Sequence, residues 1–265
     1  MRFAEASAVE RTDEGTWTGK VQPNWDIFGI ANGGYLMAIA GRAMSEAAGG
    51  RMPVSLTAHF TRPVSAGPVE ISVEPIKTGR TFSTMRSQLT SETGSLSLIG
   101  SFADTDRRAA HQPDYLAVGP QEMPSPEDCI RALPAVDGPL PPPLLAQFEL
   151  RVHPEDATAL EGRPSGVATV RGWFRFDDGE PVDPIGLLLV ADAFPPAIFN
   201  LDRPMGWTPT VEMTTHVRSV PATKWLRCAF TTRFVTDGFL EEDGEIWDES
   251  GRIVALSRQL ALVAR

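Results

Sequence analysis

The sequence predicts an α+β fold used twice in one chain: an antiparallel sheet wrapped round a buried helix, then a second copy of the same design. Three observations predict it. A proline-rich stretch divides the 265 residues into two units of similar length. Residues of the two units match at one constant offset. Each unit carries an apolar, helix-like segment ahead of several runs with strand alternation.

The divider comes first. Prolines stand at 113, 120, 124, 126, 134, 139, 141, 142 and 143. Proline fixes φ and lacks a backbone donor, so this stretch cannot be a central strand or a continuous helix. A short helix around Pro126–Ala132 is compatible with it. The expected organisation is therefore a first unit over 1–112, a connector over 113–145 and a second unit over 146–265.

The offset is 157, the separation of His59 from His216. Without a gap it sets Val69 over Leu226, Val73 over Phe230, Phe82 over Phe239 and Glu92-Thr93-Gly94 over Glu249-Ser250-Gly251. Both triplets are turn chemistry in which Gly takes the positive-φ position.

The helix-like segments are Asn32–Glu46 and Asp183–Leu201. Asn32 is the candidate N-cap of the first. In the second, Asp183 caps and Pro184 takes the first helical position, where a missing N–H costs nothing. Both are apolar nearly all round, as buried helices are. Strand-like runs follow: Val54–Phe60, Val69–Val73, Phe82–Leu89 and Leu96–Phe102, then Val211–Val217, Leu226–Phe234, Gly244–Asp248 and Ile253–Val263. The last run, long and little interrupted, suits the middle of a sheet. The acidic run Glu241–Glu249 reads as a solvated hairpin edge.

Composition narrows the function. Lys and Arg number 24 against 34 Asp and Glu, a net charge of −10, and the pI is about 4.9. That balance argues against nucleic acid as the main partner, though a few local cations can still hold a phosphate. No apolar run approaches the ~18 residues of a membrane span. The first residues lack the apolar core of a secretory signal, so a cytoplasmic protein is expected. Cys129 and Cys228 give neither a disulfide framework nor metal-ligand spacing, and neither has the context of a nucleophile. The chain has no G-x-S-x-G elbow, P-loop, H-E-x-x-H or G-x-G-x-x-G. No metal or cofactor is expected.

The duplicated helix-and-sheet pattern resembles the double hotdog of bacterial acyl-CoA thioesterase II. The resemblance lies in LTAHFTRPVSAGPVEISVEPIKTGRTFSTMRSQLT of the first unit and in LLLVADAFPPAIFNL, PTVEMTTHVR and GRIVALSRQLALVAR of the second. It covers both units and leaves out the connector. In that family an Asp, a Thr and a Gln jointly orient a hydrolytic water. The resemblance implies Asp192 in LLVADAF, Thr210 in PTVE and Gln259 in VALSRQL for these roles, with Thr208, Thr214 and Thr215 as competitors for the Thr. It also implies an acyl-CoA substrate and a homo-oligomer.

The residue chemistry suits hydrolysis. A carboxylate at Asp192, between IGLLLVA and AFPPAIF, costs several kcal/mol unless it is partnered or protonated. Desolvation makes it a better base, whereas hydrogen bonds hold it ionised. Gln259 shares a strand face with Ile253, Ala255, Ser257, Ala261 and Val263, so its amide should meet a partner or a cavity. Gly33 and Gly34 after Asn32 would let an acyl carbonyl approach the helix N-terminus and its N–H groups. Asn32, Gly33 and Gly34 are therefore the expected substrate-binding residues.

At the common offset the first unit has Pro53 and Phe102 where the second has Thr210 and Gln259, with Asn32 near the place of Asp192. One site per chain is expected. His59 and His216, repeated in both units, read as scaffold. A non-catalytic acyl-CoA binder and a hotdog hydratase or dehydratase are the competing functions.

Overall fold

The computed structural model describes residues 1–104, 115–138, 140–203 and 206–263; Pro113 and Pro139 of the connector lie outside them. The strands are β1 (Val9–Asp13), β2 (Thr16–Val21), β3 (Asp26–Ile27), β4 (Ile30–Ala31), β5 (Met52–Arg62), β6 (Gly67–Lys77), β7 (Phe82–Thr90) and β8 (Ser95–Ala103) in the first unit. Then follow β9 (Ile130–Ala132), β10 (Glu149–Val152), β11 (Thr169–Arg175), β12 (Thr210–Val217), β13 (Leu226–Thr231), β14 (Val235–Thr236), β15 (Phe239–Asp248) and β16 (Ile253–Leu262). The α-helices are α1 (Phe3–Ala6), α2 (Gly33–Ala47), α3 (Pro154–Ala157) and α4 (Gly186–Val190).

The expected two sheets are one. The strands run β1-β2-β6-β7-β8-β5-β12-β16-β15-β13-β11-β10-β9 in a single antiparallel sheet, with β14 beside β15. The units join where β5 pairs with β12, and Thr57 lies opposite Thr214 with their hydroxyls 2.9 Å apart. These two residues are separated by 157, the offset of the repeat. On either side Ala58 faces Met213 and Leu56 faces Thr215, the pairing a local two-fold axis between Thr57 and Thr214 requires. The strand order is accordingly palindromic about this junction. Joining the units here removes two sheet edges that would otherwise need protection.

Helix α2 is the expected first helix. Asn32 caps it by accepting from Tyr35 N–H at 2.9 Å, and Tyr35, Met37, Ile39 and Met44 are fully buried. The second helix is much shorter than the expected Asp183–Leu201. Asp183 Oδ1 accepts from Gly186 N–H at 2.5 Å, as a cap would, but α4 ends at Val190. The next turns tighten, with Asp192 N–H donating to Leu189 three residues back, and Pro195 and Pro196 forbid continuation before a 3-10 turn over Ala197–Asn200.

Strand β15 also departs from expectation. The acidic run is no hairpin edge, because Phe239–Asp248 is one strand between β13 and β16. Strand β16 lies in the interior of the whole sheet, between β12 and β15, as its length suggested. The connector contributes a 3-10 turn at Pro126–Asp128 and the edge strand β9, where its missing donors do least harm.

The helices meet at a glycine. A Cβ on Gly34 would lie 2.4 Å from the Leu188 carbonyl oxygen and 2.8 Å from Asp192 Cβ, so only glycine allows α2 this close to α4. Gly34→Ala is expected to destabilise the protein by about 1–3 kcal/mol, despite alanine's better helix propensity. Urea unfolding measures this, and an unchanged or raised midpoint contradicts the packing described.

Candidate active site

Asp192 follows α4 directly, at the point where the chain tightens, and this aims its carboxyl group at the start of α2. Oδ2 accepts from Asn32 Nδ2 at 2.8 Å and from Gly34 N–H at 2.9 Å. Asn32 Nδ2 also donates to the Asp192 carbonyl at 2.7 Å. A carboxylate from the second unit thus sits at the positive end of the first unit's helix. The residue keeps some exposed surface, yet its carboxyl group is surrounded by protein. That enclosure pushes its pKa up to about 6, against the opposing pull of Gly34, Gly33 and Asn32.

This geometry places the three expected substrate-binding residues on Asp192 itself. The Gly34 N–H expected to face an acyl carbonyl is directed at the carboxylate.

The sheet supplies the floor. Gln259 is 8 % exposed, on the inner face of β16 between Met213 of β12 and Glu242 of β15. Its amide makes no hydrogen bond to another described residue. Thr210 is half-buried and pairs with Ala261, so it lies diagonal to Gln259 on that face. Among its competitors, Thr214 faces outward and bonds Thr57 and Glu212, and Thr208 bonds the Gly206 carbonyl. Thr215 is fully buried with an unpartnered hydroxyl, but lies at the Leu56 end of the junction. Asp192 is at the other end: a Cβ on Gly33 would touch both the Phe60 ring, at 2.9 Å, and Asp192 Oδ2, at 3.1 Å.

The segment after Asp192 reaches across the sheet towards β15 and β13. At one side is Phe60 of β5. At the other, Ala197 N–H donates to Glu242 Oε2 of β15 at 2.6 Å, and Phe194 packs on Phe230 of β13 at 5.1 Å between ring centroids. Asp192 thus lies beside Phe60 of β5, and the chain five residues on is bonded to β15; Gln259 and Thr210 are on the strands between. Direct hydrogen bonds among the side chains of Asp192, Gln259 and Thr210 are not found.

Glu242 is the residue the sequence reading missed. It is 8 % exposed, and burial with the nearby charge of Asp192 pushes its pKa up to about 7, the Ala197 N–H pulling the other way. The strand alternation through Leu240, Gly244 and Ile246, buried like Glu242, was the available signal.

Other candidates are structural. His59 and His216 are exposed on the outer face, and His153 Nδ1 accepts from Glu155 N–H. His153, Glu155 and Asp156 approach the spacing of metal ligands, but Arg171 fills the place of a cation, with Nε 2.8 Å from Asp156 Oδ2 and Nη2 3.0 Å from Glu155 Oε2. A groove of about 520 Å³ on the outer face is lined by Thr214, His216, Arg233, Asp243 and Arg258. Its charges are spent on one another, since Asp243 bonds both arginines.

Residues 21–103 match the profile of the acyl-CoA thioesterase N-terminal domain, and residues 126–263 that of the C-terminal domain. The chain belongs to the acyl-CoA thioesterase family. A crystal structure of a candidate thioesterase II from Thermobifida fusca is 33% identical, with a TM-score of 0.89, over 100% of this chain and 99% of that one. The acyl-CoA thioesterase II TesB2 of Mycobacterium marinum shares the fold at 18% identity and a TM-score of 0.72, over 99% of this chain and 98% of that one. A thioesterase-like protein of Talaromyces wortmannii, TwmA, is 25% identical over 98% of this chain and 91% of its own. Among the described residues no helix is long and apolar enough to cross a membrane.

The two raised carboxyl groups of this thioesterase-family site carry a consequence for stability. A folded-state pKa above the ordinary value means the native chain holds the proton more tightly. The associated stability is present below about pH 4 and lost as pH rises through about 6 to 7. The melting temperature should fall more steeply from about pH 5 to about pH 8 in wild type than in Glu242→Gln. Parallel slopes contradict it.

Proposed function

We propose that the protein hydrolyses an acyl-CoA thioester to a carboxylic acid and CoA, with Asp192 as the base. The observation that carries this is the placement of the Asp192 carboxyl group at the N-terminus of α2, above a sheet face that presents Gln259. Asp192 Oδ2 accepts the helix-end donors, which hold the carboxylate ionised and fixed. Oδ1 is the oxygen that takes the proton of water. With a pKa near 6, the group is a stronger base than an ordinary carboxylate and still ionised at neutral pH.

In the reaction, the water oxygen attacks the thioester carbonyl carbon while one water proton passes to Asp192. The tetrahedral intermediate collapses, the C–S bond breaks, and the departing sulfur takes the proton from Asp192. Gln259 can accept from water through its carbonyl and donate through its amide, and Thr210, diagonal to it at the strand end, holds the same water. Thiolate is a good leaving group, so orientation of water is the main demand.

The placement of the three described histidines works against the dehydratase reading; His111 lies outside the described residues. His59 and His216 point away from the site, and His153 is engaged in the second unit's α3 cap.

Release of free thiol from short, medium, long and aromatic acyl-CoAs tests the assignment. Turnover of at least one is expected, reduced about 100-fold or more in Asp192→Asn and about 10-fold or more in Gln259→Ala. Thr210→Val should lose activity while Thr215→Val retains it. Turnover that survives Asp192→Asn rules out this base. Binding without turnover assigns the protein to acyl-CoA sequestration instead.

A further inference from the structure

Glu242 has no part in the hydrolysis described above, yet it occupies the site. It stands beside Gln259 in register on the inner face, and its Oε2 receives the Ala197 N–H of the segment that carries Asp192. The repeat within the chain shows that this is not a requirement of the scaffold. At the offset of 157, Glu242 corresponds to Met85, which is 2 % exposed on the equivalent strand β7. In the sheet register Gln259, flanked by Met213 and Glu242, answers to Gly100, flanked by Leu56 and Met85, rather than to Phe102 as the constant offset suggested, and Thr210 answers to Pro53. The second unit therefore carries Glu242, Gln259 and Thr210 on the inner face where the first has Met85, Gly100 and Pro53. A buried carboxyl group at the first of these is costly unless it serves the site.

Resting on the thioesterase reading, we propose that Glu242 is a positioning residue for Asp192: it keeps its own proton as a neutral acid, so that the site carries a single negative charge, placed on the base. Two enclosed carboxyl groups, one on Asp192 and one bonded to the same segment five residues further on, do not both ionise readily. Asp192 has the helix N-terminus and Asn32 Nδ2 to hold its charge, whereas Glu242 has one backbone N–H, so the proton stays on Glu242. A second anion here would oppose the oxyanion that forms when water attacks.

Among the described residues, no titratable side chain from the neighbouring elements faces these two groups. From α2 the site is faced by Asn32, Gly33 and Gly34, from β5 by Phe60, from β12 by Met213 and Thr210, from β16 by Gln259, and from β13 by Phe230, none of them titratable. On β15 itself, Glu241 and Asp243 alternate to the other face, where Asp243 is paired with Arg258 and Arg233. The direction of the pKa change agrees: burial raises Glu242 most, and the charges of Asp192 and, from the other face, Asp243 add to it.

Two measurements test the proposal. The first needs no substrate: carboxyl carbons of isotopically labelled Glu and Asp are titrated by NMR in the free protein. Glu242 should titrate near neutrality in wild type, and its midpoint should fall by about half a unit or more in Asp192→Asn. An unmoved midpoint overturns the proposal, and this arm does not depend on whether a Glu242 variant folds. The second is the pH dependence of kcat/KM for thiol release. Wild type should show a bell, with a falling limb as Glu242 ionises. Glu242→Gln, which keeps an acceptor for Ala197 N–H, should retain activity near pH 6.5 within about 3-fold and lose that limb. A merely structural Glu242 would leave the shape of the profile unchanged, and a direct proton donor would be inactive as Gln; either result overturns the proposal. Absence of thiol release from wild type would remove the thioesterase reading and leave the NMR coupling to stand or fall by itself.

Discussion

The carboxyl group of Asp192 is held by the other half of the molecule, and most of the structure follows from that contact. Its donors are Asn32 and Gly34, at the start of a helix 158 residues earlier. For them to meet, α2 must come within glycine distance of α4, and α4 must stop just before the acid. The two units must also share one sheet, so that their helices lie over the same concave face. The β5–β12 junction provides that continuity. Neither unit alone would have both the acid and the helix end that holds it charged.

Duplication explains how such a site could arise on one side only. The palindromic strand order gives two equivalent regions of inner face, one per unit. In the first, Pro53, Met85 and Gly100 face the core; in the second, Thr210, Glu242 and Gln259 stand in their places. Likewise α2 runs for 15 residues whereas α4 runs for five and gives way to a segment rich in proline. The first unit keeps the intact helix and supplies its N-terminus. The second unit has the shorter helix and carries the polar groups, while Phe174, Leu187, Leu188, Leu226 and Ile246 keep an apolar core beneath them.

Much of this was legible in the sequence, for identifiable reasons. The offset of 157 turned out to be the separation of the junction residues Thr57 and Thr214, because an antiparallel pair on a two-fold axis sets each residue opposite its own copy. Asn32 was readable as a cap, and Asp192 as an isolated acid in apolar company. The single sheet was not readable, since nothing in β5 or β12 distinguishes an edge awaiting solvent from one awaiting its copy. The length of α4 was misread because apolar Ala191–Ala193 and Ala197–Phe199 fit a helix on composition, while Pro195 and Pro196 decide otherwise. Glu242 was hidden inside an acidic run whose net charge suggested solvent; period-two alternation, which buries every second residue whatever its charge, was the stronger signal. The role of Gly34 could not be read at all, because it depends on an element 154 residues away meeting it at 2.4 Å.

The central claim is that the reacting thioester lies over Gln259 next to Asp192. A crystal structure of the protein with a non-hydrolysable thioether analogue of acyl-CoA tests it most directly. The account predicts the analogue's carbonyl-equivalent carbon on the inner face, with an ordered water between it and the Asp192 carboxyl group and within hydrogen-bond reach of Gln259. An analogue seated in the outer groove beside Arg233 and Arg258, with the inner face unengaged, would contradict it.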